Sequence, residues 1–178
     1  MSHPKIPNPN LYFVAITGKN QDIWGETIDI LINILGKVIF QSKIFNFSDF
    51  TSYYAKEMGE ELKKGLYFFE KLISPEYLVE LKHKCYELER KFSNSLGNRT
   101  INLDPGYLGL SKVILSTFKD YAHRVYLGKG VFAEVTLIYR NKTFTPLPWT
   151  YPDYQQPEII EIFNKARAWY KENLKFVS

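Results

Sequence analysis

The stretch LYFVAIT at residues 11–17 decides the fold prediction. It is a short apolar run without a polar break, which is typical of a buried strand. A Gly-Lys-Asn turn signal follows, and its Asn20 has the side chain of a helix N-cap. Apolar residues then recur at helical spacing from Ile23 to Leu35, and Gly36 is a stop signal. The chain is therefore predicted to begin with a buried strand and an amphipathic helix.

Three more strands and a second helix follow in the prediction. The strands are predicted at residues 37–47, 65–73 and 100–103. Residues 48–64 are predicted to be a long loop with one helical turn. Ser74 and Pro75 have the residue types of an N-cap and a first helical position, and this helix ends near Ser93 and is closed by Gly97. The order β-α-β-β-α-β is the ferredoxin-like arrangement, whose antiparallel sheet carries both helices on one face.

Further elements extend this α+β core. Residues 113–118 are predicted to be a strand, with a helix as the competing interpretation, and LGKGV at residues 127–131 is a hairpin signal. Pro157 opens a final helix whose apolar stripe should pack on the sheet. We predict a single α+β domain over residues 10–178. The Pro- and Asn-rich residues 1–9 are predicted to be a flexible N-terminus.

The composition favours a globular protein of the cytoplasm. Of 178 residues, 45% are hydrophobic and 24% are charged, which excludes a disordered chain. The single cysteine, Cys85, cannot form a disulfide within the chain, so a reducing compartment is expected. The N-terminus lacks the apolar segment of a signal peptide, and no run of about 18 apolar residues predicts a membrane helix. The dispersed net charge of +4 suits an anionic small ligand as well as RNA.

Several motifs together resemble one known family. They are NLDPGYL at residues 102–108, KDYAHR at 119–124, LPWTYPDY at 147–154, DFTSYY at 49–54 and EMG at 57–59. In these motifs the chain is similar to the uncharacterised prokaryotic family catalogued as domain of unknown function 4416. The resemblance extends from Leu11 to about Leu174. Because the family has no established activity, the resemblance implies no reaction for this chain.

The first turn does not form the phosphate loop of a standard GTPase. Gly18 and Lys19 lie between a predicted strand and a helix, as in that loop. However, Asn20 stands where a Ser or Thr would hold magnesium, and Phe13 stands where the first glycine is needed. The Asn/Thr-Lys-x-Asp element that reads guanine is also missing from the sequence. The turn could still offer backbone amides to an anion.

The hairpin at residues 127–131 leaves two arrangements open. With a two-residue loop, His123 and Glu134 share one face and could form a metal pair, or a base with its orienting carboxylate. With a three-residue loop, Arg124 lies opposite Glu134 instead, as a cross-strand salt bridge. Glycines on both sides of Lys129 allow either loop.

Two more carboxylates complete the candidate catalytic group with His123 and Glu134. Asp104 begins an Asp-Pro-Gly sequence, which we predict to be a turn at a strand end. Its carboxylate either accepts backbone amides in that turn or faces a cleft. Asp153 lies between tyrosines in LPWTYPDY. The four ligand types would suit Mg, Mn or Zn, although no metal-binding spacing signature accompanies them.

Basic and aromatic side chains form the candidate ligand-binding group. The basic residues are Lys112, Lys119, Arg124 and Arg140, which would supply charge for an anionic ligand unless they are simply solvated. Trp149 and Tyr151 are large for a loop, so they either cover the sheet edge or form the wall of a pocket. We therefore expect the protein to bind, or act on, a small phosphate-bearing ligand such as a nucleotide. The alternative is an RNA- or protein-binding module without catalysis.

Overall fold

The computed structural model describes residues 3–176 and has an α+β architecture. The strands are β1 (Asn10–Gly18), β2 (Val38–Gln41), β3 (Phe45–Asn46), β4 (Lys63–Ile73), β5 (Ile101–Leu108), β6 (Lys112–Thr117), β7 (Val125–Gly128), β8 (Val131–Arg140) and β9 (Thr143–Pro146). The α-helices are α1 (Gln21–Leu35), α2 (Ala55–Met58), α3 (Tyr77–Lys91) and α4 (Pro157–Asn173). Short 3-10 turns lie at Phe47–Asp49, Pro152–Gln155 and Leu174–Phe176. Within residues 3–176, no helix has the length and apolar character needed to cross a membrane.

The strands form one antiparallel sheet of nine strands in the order β2-β4-β1-β5-β6-β8-β7. Strand β3 pairs with β4, and β9 pairs with β8. The single strand predicted at residues 37–47 is therefore two short strands, β2 and β3. Residues 3–9 of the N-terminus that we predicted to be flexible have no helix or strand. Residues 1–2 of that segment, and residues 177–178 of the predicted domain, lie outside the described range.

Helices cover both faces of the sheet. Helices α1 and α3 pack on one face, where Tyr12, Val14 and Ile16 of β1 meet them. Helix α4 packs on the other face against Leu11 and Phe13. Strand β1 is consequently buried along its whole length, and this explains why its sequence has no polar break. The final helix thus packs on the sheet, as predicted.

The capping residues in the sequence predicted the bounds of α1 correctly but predicted the start of α3 less well. The Asn20 side chain accepts the amide of Asp22 at 2.9 Å, and Gly36 ends α1 with a φ of 84°, as predicted. In contrast, the predicted N-cap at Ser74 is wrong, because α3 begins at Tyr77 without a side-chain cap. The carbonyls of residues 74 and 75 instead accept the hydroxyl of Tyr12, which holds the chain in a turn before the helix.

The predicted turn at Asp104 is also wrong, because Asp-Pro-Gly lies inside β5. Pro105 pairs with Val14 of β1, and its carbonyl accepts the hydroxyl of Ser116 on β6 at 2.8 Å. In a strand, the N–H and C=O of one residue point to the same side. The missing N–H of Pro105 therefore faces β6, so the ladder with β1 loses no hydrogen bond.

Strands β5 and β6 pair over only three positions, from Gly106 opposite Leu115 to Leu108 opposite Val113. The strands are close there, since a Cβ on Gly106 would overlap the Ile114 carbonyl and lie 2.6 Å from the Phe13 ring. Before Gly106, β5 pairs only with β1, and β6 continues alongside β8. The sheet is therefore split at this point.

Gly106→Ala should destabilise the protein by about 1–3 kcal/mol, because the added methyl group has no space. The matched control is Gly25→Ala, in the middle of α1, where a Cβ meets nothing within 4 Å. That change should stabilise the protein by roughly 0.5–1 kcal/mol, because alanine favours the helix. Urea unfolding of both variants measures the difference. Equal midpoints for the two would contradict the close approach of β5 and β6.

Candidate ligand-binding site

A partly enclosed cavity of about 480 Å³ lies where β5 and β6 part. Asn102 and Asp104 of β5 line one side, and Ser116 and Thr117 of β6 line another. Helix α3, the segment at residues 47–54, the segment at residues 118–124 and the segment at residues 151–154 contribute further walls. The cavity therefore depends on the short β5–β6 ladder, since a fully paired sheet would fill this space.

The floor of the cavity carries two ion pairs with buried lysines, one to the buried Asp153 and one to the half-buried Asp104. Lys64 of β4 contacts Asp153 at 2.6 Å, and both side chains are at most 5% exposed. Lys82 of α3 contacts Asp104 at 3.4 Å and donates to the Leu103 carbonyl at 3.1 Å. These charges are mutually compensated, as a buried charge must be to remain charged.

A second network extends from the same floor. Arg99 binds the Glu57 carboxylate through two nitrogens, at 2.8 and 2.7 Å, and donates to Asn102 at 2.8 Å. Asn102 in turn donates to Asp104 at 2.7 Å. Glu89 of α3 accepts the backbone amide of residue 103 at 2.6 Å. The network orients the floor groups before any ligand arrives.

The environment moves the pKa values of two floor carboxyls in opposite directions. Burial alone would raise the pKa of Asp104, but Lys82, Lys64 and hydrogen bonds outweigh it and hold that pKa below its ordinary value. For Glu89, burial dominates over the nearby Lys82 and raises the pKa. Asp104 is therefore held as a carboxylate, while Glu89 retains a proton to higher pH.

The mouth of the cavity is aromatic and carries a cation. The exposed rings there are those of Tyr53, Tyr86, Phe118, Tyr121 and Tyr151. Lys119 donates to the hydroxyl of Tyr53 at 2.6 Å and lies 4.0 Å from its ring centre. Among residues 3–176, no carboxylate forms an ion pair with Lys119. Its charge is therefore available to an anion.

One buried hydroxyl of the cavity has no partner. Tyr154 is 1% exposed, lines the cavity, and its hydroxyl makes no hydrogen bond. Burial raises the pKa of this phenol well above its ordinary value, and the charges of Asp153, Asp104 and Glu134 raise it further. The hydroxyl is a neutral group with unused hydrogen-bonding capacity.

The hairpin contains both of the pairs that the sequence left open, His123 with Glu134 and Arg124 with Glu134. Its turn has two residues, with Gly128 opposite Val131, but a bulge at Leu127 shifts the register beyond it. As a result, both His123 and Arg124 reach the same oxygen of Glu134, at 3.2 and 2.9 Å. Arg124 also donates to the Lys119 carbonyl and to the Tyr151 hydroxyl.

The candidate catalytic residues are only partly brought together. Asp104, Glu134 and Asp153 line the cavity, whereas His123 is absent from the lining residues. His123 stacks instead on Trp149, with ring centres 5.4 Å apart. His123 therefore contacts the lining residue Glu134 without lining the cavity itself, and this contact holds the start of the hairpin.

The candidate ligand-binding residues divide in the same way. Lys119, Arg124 and Tyr151 line the cavity. Lys112 and Arg140 are exposed, and each lies at the end of its strand that points away from the cavity. Trp149 donates to the carbonyl of residue 135 and covers the sheet edge, which was one of the two roles considered for it.

The proposed metal ligands do not converge. Within residues 3–176, no group of three or more His, Cys, Asp or Glu side chains is placed to hold a metal ion. Asp104 and Asp153 each face a lysine, and Arg124 binds Glu134. These cations neutralise the carboxylates that a metal would need, so Asp104, His123, Glu134 and Asp153 are not a ligand set.

Several residues of the cavity were missed in the sequence. Lys82 and Glu89 lie on the apolar stripe of α3 with Leu78 and Cys85, at spacings of three and four residues. Charged residues on a buried stripe need partners, so this interruption was a usable signal. Lys64 carried a weaker signal, because it lies near a strand end where charged residues are common.

The fold and site define an α+β protein with a cavity that is lined by ionisable side chains and lies at a split in the antiparallel sheet. The chain belongs to the family described as Domain of unknown function (DUF4416), whose model matches residues 8–170. This match confirms the resemblance found in the motifs. Comparison with curated proteins and with solved structures gave no match.

Asp153→Asn should destabilise the protein by about 3–5 kcal/mol, because it leaves Lys64 buried without a countercharge. The matched control is Glu161→Gln, since Glu161 contacts Lys165 at the same 2.6 Å but on the surface. Water already solvates that pair, so its loss should not change stability measurably. Chemical unfolding of both variants compares a buried pair with an exposed one. A small effect of Asp153→Asn would show that the Lys64 ammonium is not buried as a charge.

The Glu89 carboxyl should make stability fall as the pH rises above the ordinary pKa of 4.5, because the folded protein holds this proton more tightly than the unfolded chain. Glu89→Gln should therefore gain stability relative to the wild type as the pH rises above 4.5. Glu57→Gln is the control of opposite sign, since the hydrogen bond from Arg99 lowers the pKa of Glu57. That variant should lose stability relative to the wild type as the pH rises toward 4.5, because the stabilising Glu57 carboxylate already forms below the ordinary pKa in the folded protein. Urea unfolding across the pH series tests both signs.

Proposed function

We propose that the cavity binds a small, phosphate-bearing ligand such as a nucleotide. The observation that carries this proposal is a concave cavity with buried ionisable groups, an unpartnered hydroxyl and a cation at its mouth. Ligand sites typically combine apolar walls with a few convergent polar groups and perturbed pKa values. The cavity volume of about 480 Å³ lies within the range of roughly 300–1,000 Å³ that is usual for small-molecule sites.

Lys119 is the group proposed to receive the phosphate. It is exposed at the mouth and is held over the ring of Tyr53, so its ammonium is positioned without being neutralised. Charge-assisted hydrogen bonds from such a group to a phosphate are stronger than those between neutral groups. Lys112 and Arg140, which we had also considered for this role, are too far along their strands to take part.

Turnover of the ligand would require a proton-transfer group at the cavity wall. Among the lining residues, Glu89 combines burial with a raised pKa, and this suits a general acid. His123 does not line the cavity and instead contacts Glu134 and Trp149. We therefore assign any proton transfer to Glu89 rather than to His123.

The finer fold assignment is also part of this proposal. Strands β2-β4-β1-β5 are ordered as in a ferredoxin-like sheet, with α1 and α3 on one face. Strands β6 to β9 would then be an extension whose junction with this core creates the cavity. The buried free thiol of Cys85 fits a reducing cytoplasm.

RNA binding without catalysis is a second candidate, supported by the exposed rings at the mouth. Aromatic rings can stack on unpaired bases. Against it, Lys64, Lys82 and Arg124 are buried in ion pairs and form no basic surface for a phosphate backbone. A single-stranded RNA oligonucleotide should therefore be tested beside the small ligands.

A thermal-shift screen of nucleotides should find compounds that stabilise the wild-type protein, by about 2.7 kcal/mol at 100 times the dissociation constant. Lys119→Gln should reduce this stabilisation because the phosphate loses its cation. Lys112→Gln is the matched control, because it makes the same charge change at the far end of β6, outside the cavity. If no nucleotide stabilises the wild type, the proposal fails. Stabilisation by the RNA oligonucleotide alone would favour the second candidate.

A further inference from the structure

We propose that the nucleotide enters base first: its base edge binds the floor of the cavity beside Tyr154, and its phosphate stays at the mouth beside Lys119. This inference rests on the proposed function and adds the orientation of the ligand. It also defines the ligand class as a flat, uncharged, hydrogen-bonding ring joined to an anionic group.

The charge of the floor disfavours a phosphate there. Lys64 is paired with Asp153, Lys82 with Asp104, and Arg124 with Glu134. A phosphate at this depth would lose its water and would meet a carboxylate beside every cation. Burying such a charge without a countercharge is strongly unfavourable. An uncharged ring with donors and acceptors does not have this cost.

The guanidinium of Arg99 does not offer the phosphate an alternative site at the floor of the cavity. Its guanidinium is already occupied by two hydrogen bonds to Glu57 and one to Asn102. Glu89, with its raised pKa, is a further acidic group within 3.8 Å of Arg99. The polar groups of the floor therefore balance one another and leave no unpaired cation.

The hydroxyl of Tyr154 is the group left for a ligand. It is buried, has no hydrogen-bond partner and belongs to a residue that lines the cavity. The group stays neutral, so it can donate to a ring nitrogen or carbonyl oxygen and can accept from an amino group. An unpaired buried hydroxyl is unfavourable in the free protein, and a base edge would relieve that cost.

Between floor and mouth, the lining becomes aromatic. Phe47 is buried, Tyr54 is half-buried, and Phe118 and Tyr121 are exposed. Flat rings along the walls can stack on a base that lies between the two ends. The cation then stands at the end that water reaches, where a phosphate keeps part of its hydration.

Isothermal titration with three probes tests the orientation. The probes are a nucleoside, its 5′-monophosphate and inorganic phosphate, with the nucleoside chosen from the wild-type screen. Base-first binding requires that the nucleoside and the monophosphate bind the wild type and that Tyr154→Phe leaves any binding of inorganic phosphate unchanged. Tyr154→Phe should weaken both binding probes by about tenfold, the usual effect of one lost hydrogen bond. Lys119→Gln should weaken only the monophosphate.

Stability measurements keep the Tyr154 test independent of folding. Tyr154→Phe should unfold at the same temperature as the wild type or higher, because it removes an unsatisfied hydroxyl. The matched control is Tyr170→Phe, since the buried Tyr170 donates its hydroxyl to the Pro9 carbonyl at 2.9 Å and lies outside the cavity. That variant should be less stable yet bind both probes normally.

Different failures separate this inference from the proposed function. If inorganic phosphate binds the wild type and competes with the monophosphate, and Tyr154→Phe weakens that binding, then the phosphate lies at the floor. The orientation would be overturned while nucleotide binding survived. If Lys119→Gln weakens the nucleoside as strongly as the monophosphate, the orientation is likewise wrong. If no nucleotide binds the wild type, both proposals fail.

Discussion

The short pairing of β5 with β6 is the constraint on which the rest of the site depends. Pro105 cannot donate an N–H toward β6, and its carbonyl is bound by a side chain, the hydroxyl of Ser116. The two strands therefore separate beyond Gly106, although each keeps a full partner on its other side. The missing backbone donor thus lies where the internal space begins, and both neighbouring ladders stay paired.

This space is bounded by ion pairs that are costly to bury. Lys64 with Asp153, and Lys82 with Asp104, would contribute less to stability than a well-packed apolar floor of the same volume. The unsatisfied hydroxyl of Tyr154 adds a further cost. Two ion pairs and one unsatisfied hydroxyl thus line a single cavity, which is the pattern expected at a functional site, while the unpartnered Thr17 hydroxyl and Trp24 N–H lie outside it. Because each feature is unfavourable in the free protein, a ligand contact that relieves it should change the binding free energy measurably.

The elements that sequence patterns predicted well are those set by near neighbours. Strand β1, the N-cap of α1 at Asn20 and the start of α4 at Pro157 depend on side chains a few residues apart. Asp-Pro-Gly failed as a turn because its local preference was overridden by pairing with β1, a strand far away in the sequence. The hairpin was ambiguous for a related reason, since the bulge at Leu127 is visible only once both strands are paired.

By itself, the sequence determined the α+β class, the buried central strand, the family and three carboxylates of the cavity wall, Asp104, Glu134 and Asp153. The tertiary structure decided which cation each carboxylate meets. Lys64 and Asp153 are 89 residues apart, and they touch only because the Lys64 side chain lies on the face of the sheet that the segment before α4 covers. The tertiary structure also left His123 out of the cavity lining and made Tyr154 part of it. Periodicity and caps are local properties of a chain, whereas charge pairing and enclosed space depend on the order of strands in the sheet.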